Sequence, residues 1–155
     1  MTTERTGRWL NILANLGVIA GLVLLVFELG QTRDLMRAQT RHELSTSIVE
    51  QLLVLAENPQ LASIMRRGDA GEELTQDEWY QFEVRSRALF RYWENVHYQY
   101  REQLYDEVEF VSHRDAWAAY LGASVGAATA WCGMRTEFSP EFRDELDGVL
   151  STFTC

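Results

Sequence analysis

Residues Trp9–Leu29 read WLNILANLGVIAGLVLLVFEL, the longest apolar run in the chain. Its centre, Leu16–Phe27, carries no polar side chain; Asn11 and Asn15 precede it and Glu28 follows it. As a helix, these 21 positions rise about 31 Å, close to the hydrocarbon thickness of a bilayer. No proline interrupts them, and Trp9 stands where an interfacial aromatic would stand. The stretch predicts a transmembrane helix. Two other readings share part of the pattern. Leu16–Phe27 alone has a length that also suits a buried core helix. Arg5 and Arg8 could form the basic region of a secretory signal, but no small-x-small cleavage site follows Phe27. An uncleaved anchor is the better account.

Within the span, Gly17 and Gly21 form a GxxxG pattern. On a helical wheel Ala14, Gly17, Gly21, Leu25 and Glu28 share one side, where small residues let a second helix approach closely. This predicts a helix-association face of Ala14, Gly17, Gly21 and Glu28, with Glu28 ending the seam near the headgroups. Arg33, Arg37 and Arg41 follow at intervals of four, on one face of a continuing helix. With Trp9 they are the expected lipid-headgroup contacts. They outnumber Arg5 and Arg8 by one, which favours a cytoplasmic C-terminal domain in a bacterial inner membrane.

The charge is unevenly placed. Residues 1–41 carry +2 and residues 42–155 carry −11, within a net −9 for 155 residues. An acidic body argues against a nucleic-acid partner, because neutralising phosphates needs a basic surface. All 14 basic residues are Arg, since the chain holds no Lys. Schiff-base catalysis and a P-loop are therefore excluded. Two cysteines, Cys132 and Cys155, make neither a disulfide framework nor a zinc pattern. Reduced thiols are the default, and a single bridge remains open.

Helical periodicity continues beyond the span. Leu44, Ile48, Val49, Leu52, Leu53, Leu55 and Ala56 form a broad stripe, and Asn58-Pro59 ends that helix and starts the next. A short helix to Arg67 is expected to stop at Gly68. Thr75 to Glu78 is a capping box opening a helix towards Leu104, with Trp79, Phe82, Phe90, Trp93, Val96 and His97 on its apolar face. Further helices are expected over about 106–121, with Phe110, Val111, Trp117 and Leu121 inward, over 127–137, and after Ser139-Pro140. No strand pattern is present. The expectation is an all-α fold: an N-terminal tail over 1–8, a transmembrane helix over 9–29, a juxtamembrane extension over 30–57 and a soluble helical bundle over 58–155.

The stretches LANLGVIAGLVLLVFELGQTRDLMRAQT, ENPQLASIMRRG, LFRYWENVHYQYREQLYDE and AWCGMRTEFSPEF, in this order, cover most of the chain. In them it resembles a large family of small bacterial single-pass membrane proteins with a helical soluble domain. Members usually carry Arg where Gly30 stands and Gln where Glu28 stands, so the basic collar is weaker here. The resemblance implies a membrane-anchored helical domain and brings no assigned activity with it.

The sharpest chemical pattern is Glu94-x-x-His97, the spacing that carboxylate-bridged di-metal bundles use on facing helices. Glu109 and His113 form a second pair at i, i+4. These four are the metal-ligand candidates, with Glu50, Glu57 and Glu83 the nearest guesses for the remaining carboxylates; the bland alternative is two satisfied core or boundary histidines, with Glu94 paired to Arg91 or Arg101 on its own helix. Cys132 has no His near it in sequence and no GxSxG is present, so no catalytic residue, enzyme activity or cofactor is expected. The leading expectation is a membrane-anchored helical scaffold or interaction module that forms a homo-oligomer in the lipid bilayer, with an unidentified membrane protein as a further candidate partner. The alternatives are a sensor or ligand-binding bundle with a pocket at Trp93, His97 and Trp117, and a carboxylate/His metalloenzyme.

Overall fold

The structure is a computed structural model that describes residues 2–150 and Cys155, with side chains described at Trp9 and from Leu13 onward. Six α-helices and one 3₁₀ turn follow in order, and no strand occurs among the described residues. The fold is all-α. Helix α1 covers Thr2–Glu57, α2 Pro59–Asp69, α3 Gln76–Arg101, α4 Glu107–Ala123, α5 Val125–Met134 and α6 Pro140–Val149. The chain forms two compact units, Met1–Gln39 and Thr40–Cys155, and α1 contributes to both.

The first unit is helical from Thr2, so the stretch expected to be a tail over 1–8 belongs to α1. No proline lies there to interrupt it. The side chains of Arg5, Arg8 and Asn11 lie outside the described residues. Near the N-terminus α1 is long and apolar enough to cross a membrane, with a mean hydropathy of 2.1 and none of that window buried. Past the apolar run, the Thr32 hydroxyl donates to the Glu28 carbonyl at 2.8 Å.

The second unit begins at Thr40, so its core takes in the end of α1. Thr40 and Leu44 are buried, and Ile48 and Leu55 pack on the core. Leu44, Ile48 and Leu55 recur at helical spacing on one face, but Val49, Leu52, Leu53 and Ala56 of the expected stripe are exposed, so the apolar arc is wider than the core it meets. Arg85 of α3 ties the same face down: one guanidinium nitrogen donates to Gln51 Oε1 at 2.6 Å, another to the Gln51 carbonyl at 2.8 Å.

Local signals set the remaining ends. Asn58 Oδ1 accepts the Leu61 N–H and Pro59 occupies the first turn of α2. Thr75 and Glu78 form the full capping box of α3. Asp106 caps α4 through the Val108 N–H, and Ser124 caps α5 through the Ala127 N–H. Gly68 does not end α2. It lies within the helix, which runs to Asp69, and Gly71 takes the left-handed turn at φ 73°. Gly68 is used for contact instead: a Cβ there would strike the Phe82 ring, and one at Gly126 would strike the Gly68 carbonyl. Helices α2 and α5 thus meet at backbone distance, which only glycine permits.

The interior is aromatic. Phe90, Trp93, Trp117, Trp131 and Phe142 are buried, and Phe90 sits edge-on to both Trp93 and Trp131 with centroids 5.3 Å apart in each pair. Two expected core residues are more exposed: Trp79, at the start of α3, leans on Phe82, and Val111 lies one step round α4 from buried Phe110. Their positions lie near the edge of the apolar arc, where a wheel cannot say how far the neighbouring helix reaches. Cys132 of α5 is bonded to Cys155.

Candidate functional site

Two concave features of the second unit are lined by polar side chains, and the two acid–histidine pairs divide between them. The first group lines a cleft of ≈ 430 Å³. The end of α1 supplies Arg41, Ser45 and Ile48 at positions i, i+4 and i+7, α3 supplies Tyr92, and α4 supplies Glu109, Ser112 and His113. Tyr105 enters from the α3–α4 loop. Its position follows from the end of α3: Gln103 takes φ 60°, the Gln103 N–H donates to the Tyr100 carbonyl and the Leu104 N–H to the Gln99 carbonyl. This pair of bonds is a Schellman turn built without glycine, and it turns the chain back across the helix end.

At the cleft rim Arg41 Nη2 meets Glu109 Oε1 at 2.6 Å. Deeper, the Tyr105 hydroxyl and His113 Nε2 are 3.0 Å apart. Tyr92 is only 6% exposed, with its ring set edge-on to His113 at 6.3 Å. Tyr92 lines the cleft from α3. Burial pushes the Tyr92 phenol up to about 12, with Tyr105 adding to the shift. Burial also raises Tyr105, with Glu109 reinforcing it. Burial pulls His113 below its ordinary value, against the opposing pull of Glu109. At neutral pH the cleft therefore holds two protonated phenols and a neutral imidazole.

The second group surrounds Glu94 and His97. Burial works to raise the Glu94 carboxyl, but the Ser139 N–H at 2.8 Å and the Arg91 guanidinium at 2.7 Å hold it below the usual carboxylate range. Ser139 makes no side-chain cap, so Glu94 of α3 serves the exposed amide at the start of α6. His97 is buried, its ring 5.9 Å from both Phe110 and Phe142. Burial lowers its pKa, with Arg101 in support and Glu145, Glu141 and Glu94 opposed.

The four metal candidates are thus spread over two places. Among the described residues no three His, Cys, Asp or Glu side chains come together as a metal-binding group. Both carboxylates are engaged, Glu94 by Ser139 and Arg91, Glu109 by Arg41. The interior expected to hold a pocket at Trp93, His97 and Trp117 is filled at the indoles, which stack at 5.3 Å. Of the expected headgroup contacts, Trp9, Arg33 and Arg37 are exposed in the first unit, while Arg41 belongs to the second and pairs with Glu109. Ala14, Gly17, Gly21 and Glu28 are exposed, and a Cβ at Gly17 or Gly21 would meet nothing within 4 Å.

Sequence reasoning passed over Tyr92 and Tyr105. Tyr92 lies beside Trp93 on α3, and nothing in its spacing separates a core tyrosine from a cleft-facing one. Tyr105 follows a turn that no Gly announces. No protein-family model, no curated protein and no solved structure matches the chain.

Proposed function

We propose that the chain is a single-pass, membrane-anchored helical module of the bacterial inner membrane that associates with further copies of itself. The observation that carries this reading is the exposure of every described side chain from Leu13 to Leu29. Left in water, each Leu, Val or Ile of that stretch forgoes about 1.5–3 kcal/mol of burial, so lipid or another chain has to cover it. Gly17 and Gly21 are open to close approach, which favours a second copy on that side. The family resemblance supports the same assignment. No catalytic step or cofactor enters it. The metalloenzyme alternative is not carried forward, because Glu94 and Glu109 are each engaged elsewhere.

Cross-linking in native membranes and sizing in mild detergent test the reading. A defined oligomer is expected, and it should weaken when Gly17 and Gly21 are both replaced by Ile. A monomer under both conditions removes self-association; a chain that stays in solution without detergent removes the anchor as well.

The arginine balance supports a cytoplasmic second unit. The Cys132–Cys155 bridge favours the opposite face, because disulfides persist mainly in oxidising compartments. Protease added to spheroplasts separates the two: digestion of the second unit supports the exported face, protection the cytoplasmic one.

A further inference from the structure

Within the second unit, the end of α1 carries apolar side chains on two sides, and the core covers only one of them. Leu44 is 2% exposed and lies in the core with Ile48 and Leu55 packed on it, whereas Leu52 is 56% exposed and Val49 and Leu53 are 49% exposed. Val49, Leu53 and Ala56 follow at i, i+4 and i+7, so they stand in one row with Leu52 beside it, and Ala56 is exposed as well. A helix lying on a core needs one apolar stripe. This segment has a second, at the spacing with which one helix meets another. Glu50 and Glu57 each follow a member of the row by one position, and both are exposed. None of the ion pairs among the described residues uses either acid. We propose that this face docks a basic amphipathic α-helix of another protein, whose apolar side chains cover the row and whose Lys or Arg side chains meet Glu50 and Glu57.

Charge decides among the occupants. From Glu43 to Glu57 every charged residue is an acid. A second copy would bring the same row with the same acids and no Arg within it to meet them. An anionic lipid surface would repel them. A helix with Lys or Arg beside its apolar stripe brings the opposite sign to both acids, and flanking charges of this kind set which helix is chosen as partner. The −11 carried by residues 42–155 adds attraction at longer range. The apolar row supplies contact and the acids supply selection. The inference does not rest on self-association through Gly17 and Gly21, and either can fail alone.

The test uses the full chain in nanodiscs of zwitterionic phosphatidylcholine. The probe is a fluorescent peptide of about three heptads, with Leu at the seam positions and Lys beside them. Its counterpart carries Glu in place of each Lys. Fluorescence anisotropy should show saturable binding of the Lys peptide above that to empty nanodiscs, with the Glu peptide at least tenfold weaker. Val49→Gln combined with Leu53→Gln, both at exposed positions, should weaken the Lys peptide at least tenfold while circular dichroism confirms the helical fold. Glu50→Gln combined with Glu57→Gln should weaken it at least threefold at low salt and flatten its salt dependence. Binding no greater than to empty nanodiscs overturns the proposal. So does equal binding of the two peptides, or unchanged affinity in either double variant. A photo-cross-linker at Leu53 that joins two copies of the chain, or joins lipid, in native membranes overturns it as well.

Discussion

Glu94–His97 on α3 and Glu109–His113 on α4 are the same two residue types about one helical turn apart, and they end in opposite circumstances. The first pair is absorbed into the fold: its acid caps another helix and its imidazole lies between two phenylalanines. The second pair stands in a cleft, its acid on an arginine at the rim and its imidazole on a tyrosine hydroxyl. Spacing along one helix places two side chains on one side. What they do there is decided by the element opposite. For Glu94 that element is the unsatisfied first turn of α6; for Glu109 it is a side chain near the start of the second unit.

Removing Glu94 tests this contrast most strongly. Glu94→Ala leaves the Ser139 N–H without its acceptor and Arg91 without its ion pair. Charge-assisted hydrogen bonds of this kind are worth about 1.5–3 kcal/mol, so a destabilisation of about 2 kcal/mol is expected as a lower urea midpoint. The pH dependence has a fixed sign. The Glu94 pKa is lowered in the folded state, below 4.5. Its contribution is therefore complete above that value and is lost as pH falls through the folded pKa. Glu94→Ala should shrink the acid-induced loss of stability below that pH. A variant as stable as the unchanged protein, with the same acid limb, would show that Glu94 is no more embedded than Glu109.

The histidines give a second, smaller difference. Both folded pKa values lie below 6.5, with burial the leading cause. The unfolded chain takes up protons first, so stability is complete above 6.5 and falls as pH drops from there towards the folded pKa values. His97→Phe should flatten that slope, since its ring stays among Phe110 and Phe142 without a proton to accept. His113→Phe should flatten it less, because the cleft lets the charged form reach water. Urea midpoints at pH 7.5 and 5.0 measure both, and equal flattening would erase the distinction between core and cleft.

The contrast also shows what the sequence could and could not disclose. The all-α fold and the apolar span are written in periodicity and composition, and the caps at Asn58, Thr75 and Asp106 are local chemistry. The fate of Glu94 is not local. It depends on the Ser139 amide, 45 residues away. The cleft is hidden for the same reason: its walls come from α1, α3 and α4, and its loop residue Tyr105 is set by a left-handed turn at Gln103 rather than at a glycine. Gly68 misled in the other direction. It reads as a helix end but serves the close crossing with α5, a use that appears only when Gly126 is brought opposite it.

The smallest effect is expected at Arg41. Its side chain is 71% exposed and that of Glu109 29%; such pairs are screened and typically contribute about 0.2–1 kcal/mol. Arg41→Gln should therefore lower stability by about 0.5 kcal/mol or less and lose even that in 1 M salt, where the Debye length falls to about 3 Å. A loss above 1.5 kcal/mol, beyond the range of about 0.2–1 kcal/mol for exposed pairs, would mean that Glu109 is bound into the fold as tightly as Glu94. The two acid–histidine pairs would then differ in partner but not in role.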